Sequence, residues 1–225
     1  MGYTIVYTQV LEFFPYLVRG ALISLQIAIL AFFGGMFFGL IFATIRTFGN
    51  RLMNNLVICY VTFFTNTPQL VQIYFLFFAL PEVGILLSPF MAVLIGMTLN
   101  AAAYLCEIQR AGFLSIRQNE LDAAKTLNFT LIQQVKYVIL PHIMKVLFPP
   151  LSNHYIIMTL GTSMAAIFGV EELTGRALNI NSETFRSIEV FSLTALIYIV
   201  ITFIATFLLA LIGRYFFKAK MRIIQ

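Results

Sequence analysis

Charged residues punctuate this chain at wide intervals. Between them lie five uncharged windows, 20–45, 52–81, 83–106, 146–170 and 190–213. These hold 26, 30, 24, 25 and 24 residues, and the next longest window, 1–11, holds 11. A helix needs about 20 apolar residues to cross a bilayer, so the pattern predicts five spans, at roughly 20–45, 54–80, 85–106, 146–169 and 190–213. Segment 1–19 precedes them and a tail, 214–225, follows. Runs such as IAILAFFGGMFFGLIF (27–42) are solidly apolar. They lack the two-residue alternation of membrane barrel strands, so the expected fold is all-α. The first window is too long for a signal peptide, has no basic stretch ahead of it and starts 20 residues in. It is expected to stay in the mature protein.

Composition fits that reading. Sixty per cent of the 225 residues are hydrophobic and 10% are charged, against about a quarter charged in soluble domains. Mean hydropathy is +0.93. A soluble globular enzyme and a disordered chain are both excluded. The net charge of +5 reads as a topology signal rather than a nucleic-acid footprint. Connections 46–51 and 105–145 with the tail carry 11 Lys and Arg; segment 1–19, the turn near Glu82 and 171–189 carry three, Arg19, Arg176 and Arg186. The positive-inside rule then predicts an external N-terminus and a cytoplasmic C-terminus. Cys59 and Cys106 both lie in apolar sequence, so neither a disulfide framework nor metal-ligand spacing is offered.

Two spans carry interruptions. The second has Thr65-Asn66-Thr67-Pro68 at its middle; the fourth has Pro149-Pro150 followed by Ser152-Asn153-His154. Proline removes a backbone donor and crowds the preceding turn, and freed carbonyls in lipid survive only where protein or a watery cavity satisfies them. Each interruption reads either as part of a transport pathway or as a packing kink. Gln72, Asn100, Asn153, Thr162 and Ser163 are neutral polar residues inside apolar windows and must face protein or water. His154 is expected to be neutral and bonded to a carbonyl. Gly35 and Gly39 form a small-xxx-small pair that lets helices approach closely. Glu107 and Arg110, three apart, are expected to pair structurally on one helix face.

The longest polar connection, 105–145, contains a predicted short helix over 119–128. Asn119 is its expected cap, with Asp122 in a capping-box-like place. Leu121, Ala124 and Leu127 make an apolar stripe, and Asn128 can take the left-handed conformation that ends helices. Such a helix either packs on its own bundle or docks into a partner.

These residues resemble the transmembrane permease subunits of polar amino-acid ABC importers, a type I fold with five core helices. The family's inner-loop pattern of Glu-Ala-Ala, Gly and then Ile-x-Leu-Pro is matched by Asp122-Ala123-Ala124, Asn128 and Val138-Ile139-Leu140-Pro141. Thr67-Pro68-Gln69-Leu70-Val71-Gln72, Ala103-Tyr104 with Glu107 and Arg110-Ala111-Gly112, Pro149-Pro150-Leu151-Ser152-Asn153, Thr162-Ser163 and Glu172-Leu173-Thr174 follow the family's order. Departures are Asp122 for Glu, Asn128 for Gly, Thr65-Asn66 where Arg-Gly is frequent, and Leu160-Gly161 where many members have Lys-Asp.

The resemblance implies that 119–128 is a coupling helix seated in an ATPase cleft, with Asp122, Ala123, Ala124 and Asn128 as its coupling residues. It implies a substrate path that draws on Thr67, Gln72, Asn100, Asn153, Gly161, Thr162 and Ser163. It also implies an ABC ATPase dimer that binds ATP and magnesium, a second permease subunit, identical or homologous, an external amino-acid-binding protein, and a multi-pass location in the bacterial inner membrane. No phosphate-binding Gly-x-x-x-x-Gly-Lys-Ser/Thr occurs in this chain, so the chain is expected to be neither an ATPase nor a cofactor binder. A channel subunit explains the broken spans but not the coupling-helix pattern, and a membrane-embedded enzyme would need His, Asp and Glu clusters that the sequence does not offer.

Overall fold

The computed structural model describes residues 4–217. Lys218, Lys220 and Arg222, which contribute to the basic count above, lie outside the described residues. Regular structure in those residues is helical throughout. The chain opens with α1 (Thr8–Leu11) and the long α2 (Phe14–Phe48). Then come α3 (Arg51–Thr65) and α4 (Gln69–Tyr74), which passes through a π turn, Phe75–Ala79, and a 3-10 turn, Leu80–Val83. The third apolar window lies in α5 (Pro89–Leu114). After it follow α6 (Gln118–Thr126), α7 (Leu131–Gln134) with a π turn, Val135–Ile139, and α8 (Leu140–Gly161) with a 3-10 turn, Thr162–Phe168. The last elements are α9 (Leu173–Thr184) and α10 (Ser187–Phe217).

Among the described residues three helices, α2, α5 and α10, are long and apolar enough to cross a membrane, and counting each of two bent pairs as one span makes up to five. The helices overrun the apolar windows. α2 has 35 residues, about 50 Å at 1.5 Å per residue, and includes Arg19 and Arg46; α5 includes Glu107 and Arg110. A charge marks where apolar sequence ends, but the backbone remains helical past it.

The interruption in the second window is a true break. Thr65 ends α3, Asn66 leaves the helical region, Pro68 is extended, and the chain bends by 102°. One carbonyl that α3 leaves at its end, Phe64 O, is taken up by a side chain, and polar residues of the last turn back-bond to the helix. Thr65 Oγ1 donates to Val61 O at 2.7 Å, Asn66 Nδ2 to Thr62 O at 2.8 Å, and Asn100 Nδ2 to Phe64 O at 3.1 Å.

The fourth span departs from expectation. α8 stays helical through Pro149 and Pro150. The four residues before them, Lys145 to Phe148, offer no short polar side chain to receive freed backbone groups, so leaving the helix there would gain nothing. The break comes later, where Thr162–Phe168 tightens to a 3-10 turn, Gly169 adopts φ +82°, and α9 departs at 47°. His154 also differs from its expected role: Nε2 is buried with no hydrogen-bond partner, and its ring lies 5.7 Å from that of Tyr104.

The chain divides into two units. One comprises Met1–Phe33, Thr67–Leu99 and Tyr155–Ala205. Its core joins Val10, Leu17 and Ala21 to Leu173, Ala177 and Ile180 of α9 and to Val190, Leu193 and Ile197 of α10. Glu172 is fully buried within it. Its carboxylate accepts from Ser24 Oγ at 2.8 Å, Tyr198 OH at 3.0 Å and Gly175 N at 2.9 Å, which also caps α9. The second buried acid, Glu189, pairs with Arg186 at 3.0 Å and accepts from Val6 N.

The other unit comprises Gly34–Asn66, Asn100–His154 and Thr206–Gln225. Gly35 and Gly39 fulfil the close approach expected of them. A Cβ on Gly35 would lie 2.5 Å from Ala101 Cβ, and one on Gly39 would lie 3.0 Å from Cys106 N. Ala43, Val57, Val61, Ala103 and Cys106 form the adjoining core. Glu107 pairs with Arg110 at 3.9 Å, as spacing predicts, and also with Arg46 of α2.

Candidate functional site

Two of the interruptions meet within the first unit. A Cβ built on Gly161, where α8 ends, would lie 3.8 Å from Gln69 Oε1, at the start of α4, and 3.7 Å from Met164 Cε. Both are ordinary contacts, so the position is open enough for a side chain. Gln69 lies in the Thr-Pro stretch outside the predicted path residues, because proximity across 92 positions leaves no mark in a single sequence. Ser163 and Thr67 are half-buried beside these breaks. The other polar groups there are engaged locally. Gln72 is buried and donates to Thr67 Oγ1 at 2.8 Å and to Thr67 O at 3.1 Å. Thr162 is fully buried, and Oγ1 donates to Thr159 O at 2.8 Å. They hold the breaks in shape rather than presenting free groups.

Asn100 and Asn153 belong to the second unit. Asn100 closes the end of α3, as described above. Asn153 lies on an exposed face of α8 shared with Val146, Pro150, Ile157 and Leu160. An exposed amide in an apolar window must meet water or another polypeptide, since hydrocarbon leaves it unsatisfied.

The predicted inner helix is α6, within the second unit. It begins at Gln118 with Arg117 at the cap position, so Asn119 sits in the first turn and is not the cap. The two-residue earlier start is supported by Gln118 Nε2 donating to Asp122 Oδ1 at 2.9 Å. Its C-terminus follows expectation: Asn128 has φ +55°. Asn128 N donates to Lys125 O at 2.8 Å and Phe129 N to Ala124 O at 3.0 Å, the paired bonds of a Schellman end. Thr130 and Gln133 then form a reciprocal capping box for α7, a Thr-x-x-Gln signal legible in the sequence but not used above.

α6 is two-faced. Ala124 is buried in this chain's own packing, whereas Asp122, Ala123 and Asn128 are exposed. The predicted apolar stripe is incomplete, because Leu127 is 69% exposed. Leu131 and Ile132, just beyond it, are 78% and 79% exposed. An apolar, exposed ledge next to a short helix, outside the apolar windows, is a surface suited to protein contact.

Residues 35–218 match the family of binding-protein-dependent transport system inner membrane components. The chain belongs to this family. Among curated members, the glutamine transport system permease protein of Escherichia coli K12 is 34% identical over 202 residues, covering 89% of this chain and 92% of that one. A probable amino-acid ABC transporter permease of Bacillus subtilis is 34% identical over 195 residues, covering 87% and 86%. Among solved structures, an amino acid ABC transporter crystallised with histidines superposes with a TM-score of 0.87 at 28% identity, covering 94% of this chain and 99% of that one. A chain of the MetNI methionine ABC transporter, in an inward-facing conformation, superposes with a TM-score of 0.69 at 19% identity and supports the type I fold.

Proposed function

We propose that this chain is the permease subunit of an ATP-driven importer that moves a polar amino acid across the bacterial inner membrane by alternating access. The observation that carries the reading is the near-complete superposition on a solved amino acid ABC transporter. The family membership adds binding-protein dependence. The fold supplies a helix, α6, anchored by Ala124 and exposing Ala123 and Asp122, as a helix seated in a partner's cleft requires. ATP and magnesium belong to that ATPase partner. Five spans form half a pathway in this reading, so a second permease subunit, identical or homologous, completes it. The exposed Asn153 face is consistent with such a neighbour.

The substrate's side chain is neutral or acidic unless the second subunit supplies an anion. No acidic residue lies between Lys145 and Glu171, so the centre of the fourth span offers no carboxylate to a guanidinium or ammonium, whose desolvation would go uncompensated. The space at Gly161 makes this testable, because Gly161→Asp adds an anion without displacing backbone and should shift uptake toward arginine or lysine.

The direct test is uptake by proteoliposomes holding the chain with its ATPase and binding protein. ATP-dependent accumulation of an amino acid is expected. Passive, ATP-independent flux through the purified chain alone would instead establish a channel subunit. The orientation has its own test: with Cys59 and Cys106 replaced, Gln118→Cys should label only from the cytoplasm and Glu183→Cys only from outside. Labelling of position 118 from outside would reverse the topology.

A further inference from the structure

His142 stands in the first turn of α8, at the junction of three elements of the second unit. Nε2 lies 3.1 Å from Ser115 O, the backbone carbonyl just past the end of α5. Nδ1 lies 3.3 Å from Glu120 Oε2, in the first turn of α6. Both neighbours are acceptors. Nε2–H donates to Ser115 O, and protonation of the ring adds an ion pair with the Glu120 carboxylate beside Nδ1. The ring is partly shielded, with a side-chain exposure of 24%, and Glu120 has 38%.

The framework behind the ring is close-packed. A Cβ on Gly112 of α5 would lie 2.6 Å from Leu147 Cδ2 of α8, and Ser115 Oγ donates to Gly112 O at 2.7 Å. Thus α5 and α8 meet tightly one turn above His142, and its ring carries that pair's position to α6. Ala124 gives α6 an apolar hold on the chain, but an alanine fixes neither rotation nor register. The two polar contacts of His142 do.

We propose that His142 is a positioning residue for energy coupling: through Glu120 and the Ser115 carbonyl it locks α6 to α5 and α8, so that displacement of α6 by the ATPase reaches the spans. The proposal rests on the reading of α6 as the ATPase-docking helix. His142 itself need not touch the ATPase.

The test uses the full transporter in proteoliposomes and measures uptake and ATP hydrolysis in the same vesicles. His142→Ala should leave the ATPase bound and hydrolysing ATP but lower the substrate moved per ATP, because α6 then moves without carrying α5 and α8. Glu120→Gln should lower the same ratio, and the double variant should be no worse than His142→Ala, because both remove one link. His142→Arg, which also donates to two acceptors, should restore the ratio, which a volume effect alone does not explain. An unchanged uptake-to-ATP ratio in His142→Ala, or additive losses in the double variant, overturns the proposal. If His142→Ala fails to assemble, Glu120→Gln and the Arg variant decide. Failure of the underlying reading looks different: Ala123→Arg would then leave the ATPase bound and active, whatever His142 variants do.

Discussion

Pro68 and Pro149-Pro150 interrupt two apolar windows with the same chemistry, yet the backbone breaks at the first and stays helical at the second. Around Pro68, Thr65, Asn66, Gln72 and, from another helix, Asn100 supply side chains that hold the turn together. Around Pro149 the preceding turn, Lys145-Val146-Leu147-Phe148, holds no Ser, Thr, Asn or Gln. The fourth span breaks instead where hydroxyls cluster, with Thr159 donating to Tyr155 O and Thr162 to Thr159 O. Polar side chains that bond to local backbone cluster at both breaks and are absent from the turn before Pro149. Proline only proposes the place.

That comparison can be broken most forcefully at Glu172, which organises the turn after the second break. Glu172→Ala leaves Ser24 Oγ, Tyr198 OH and Gly175 N without their buried acceptor. At about 1–3 kcal/mol for each buried group left unsatisfied, the loss should be about 3 kcal/mol or more. It is read as a large fall in unfolding temperature in detergent, while Glu172→Gln, which keeps one acceptor oxygen, should lose less. Equal stability of Glu172→Ala and wild type would refute the role given to the network.

Gln72→Leu comes next. It removes both bonds to Thr67 and should cost about 1–3 kcal/mol, with a matching loss of transport as the α3–α4 turn loosens. The prolines sharpen the contrast from the other side. A proline inside a helix carries a penalty of about 3 kcal/mol, so Pro150→Ala should raise thermal stability and leave transport nearly intact. Pro68→Ala, in a turn held by side chains, should change stability by less than about 1 kcal/mol. A straightened, inactive Pro68→Ala protein would show that proline alone makes the bend.

Much of this was legible in the chain. Three of the five charge-free windows lie in single helices of spanning length and the other two in bent pairs, because lipid leaves little alternative to apolar helix for that length. The left-handed Asn128 was foreseeable, since Asn tolerates the conformation that a helix end demands. Gly35 and Gly39 announced a close helix approach by their spacing. Other features were hidden for physical reasons. The approach of Gln69 to Gly161, the pairing of Arg46 with Glu107, and the bridge from His142 to Glu120 join residues distant in sequence, and spacing informs only on neighbours along one helix. α9 was missed although Leu173, Ala177 and Ile180 form a helical stripe, because the acids around it mark it as connection rather than span. The two-sidedness of α6 was likewise open, since an amphipathic pattern states that a face is buried but not by which chain.

The central claim is that the exposed face of α6 seats the ATPase. Its most direct test is co-purification of the ATPase with the chain carrying Ala123→Arg. Ala123 is exposed, so the variant should insert and fold normally, yet lose the ATPase and ATP-dependent uptake together. Ala124→Arg, whose parent side chain is buried, should misfold instead. A folded Ala123→Arg protein that retains a stoichiometric ATPase and normal uptake would contradict the account.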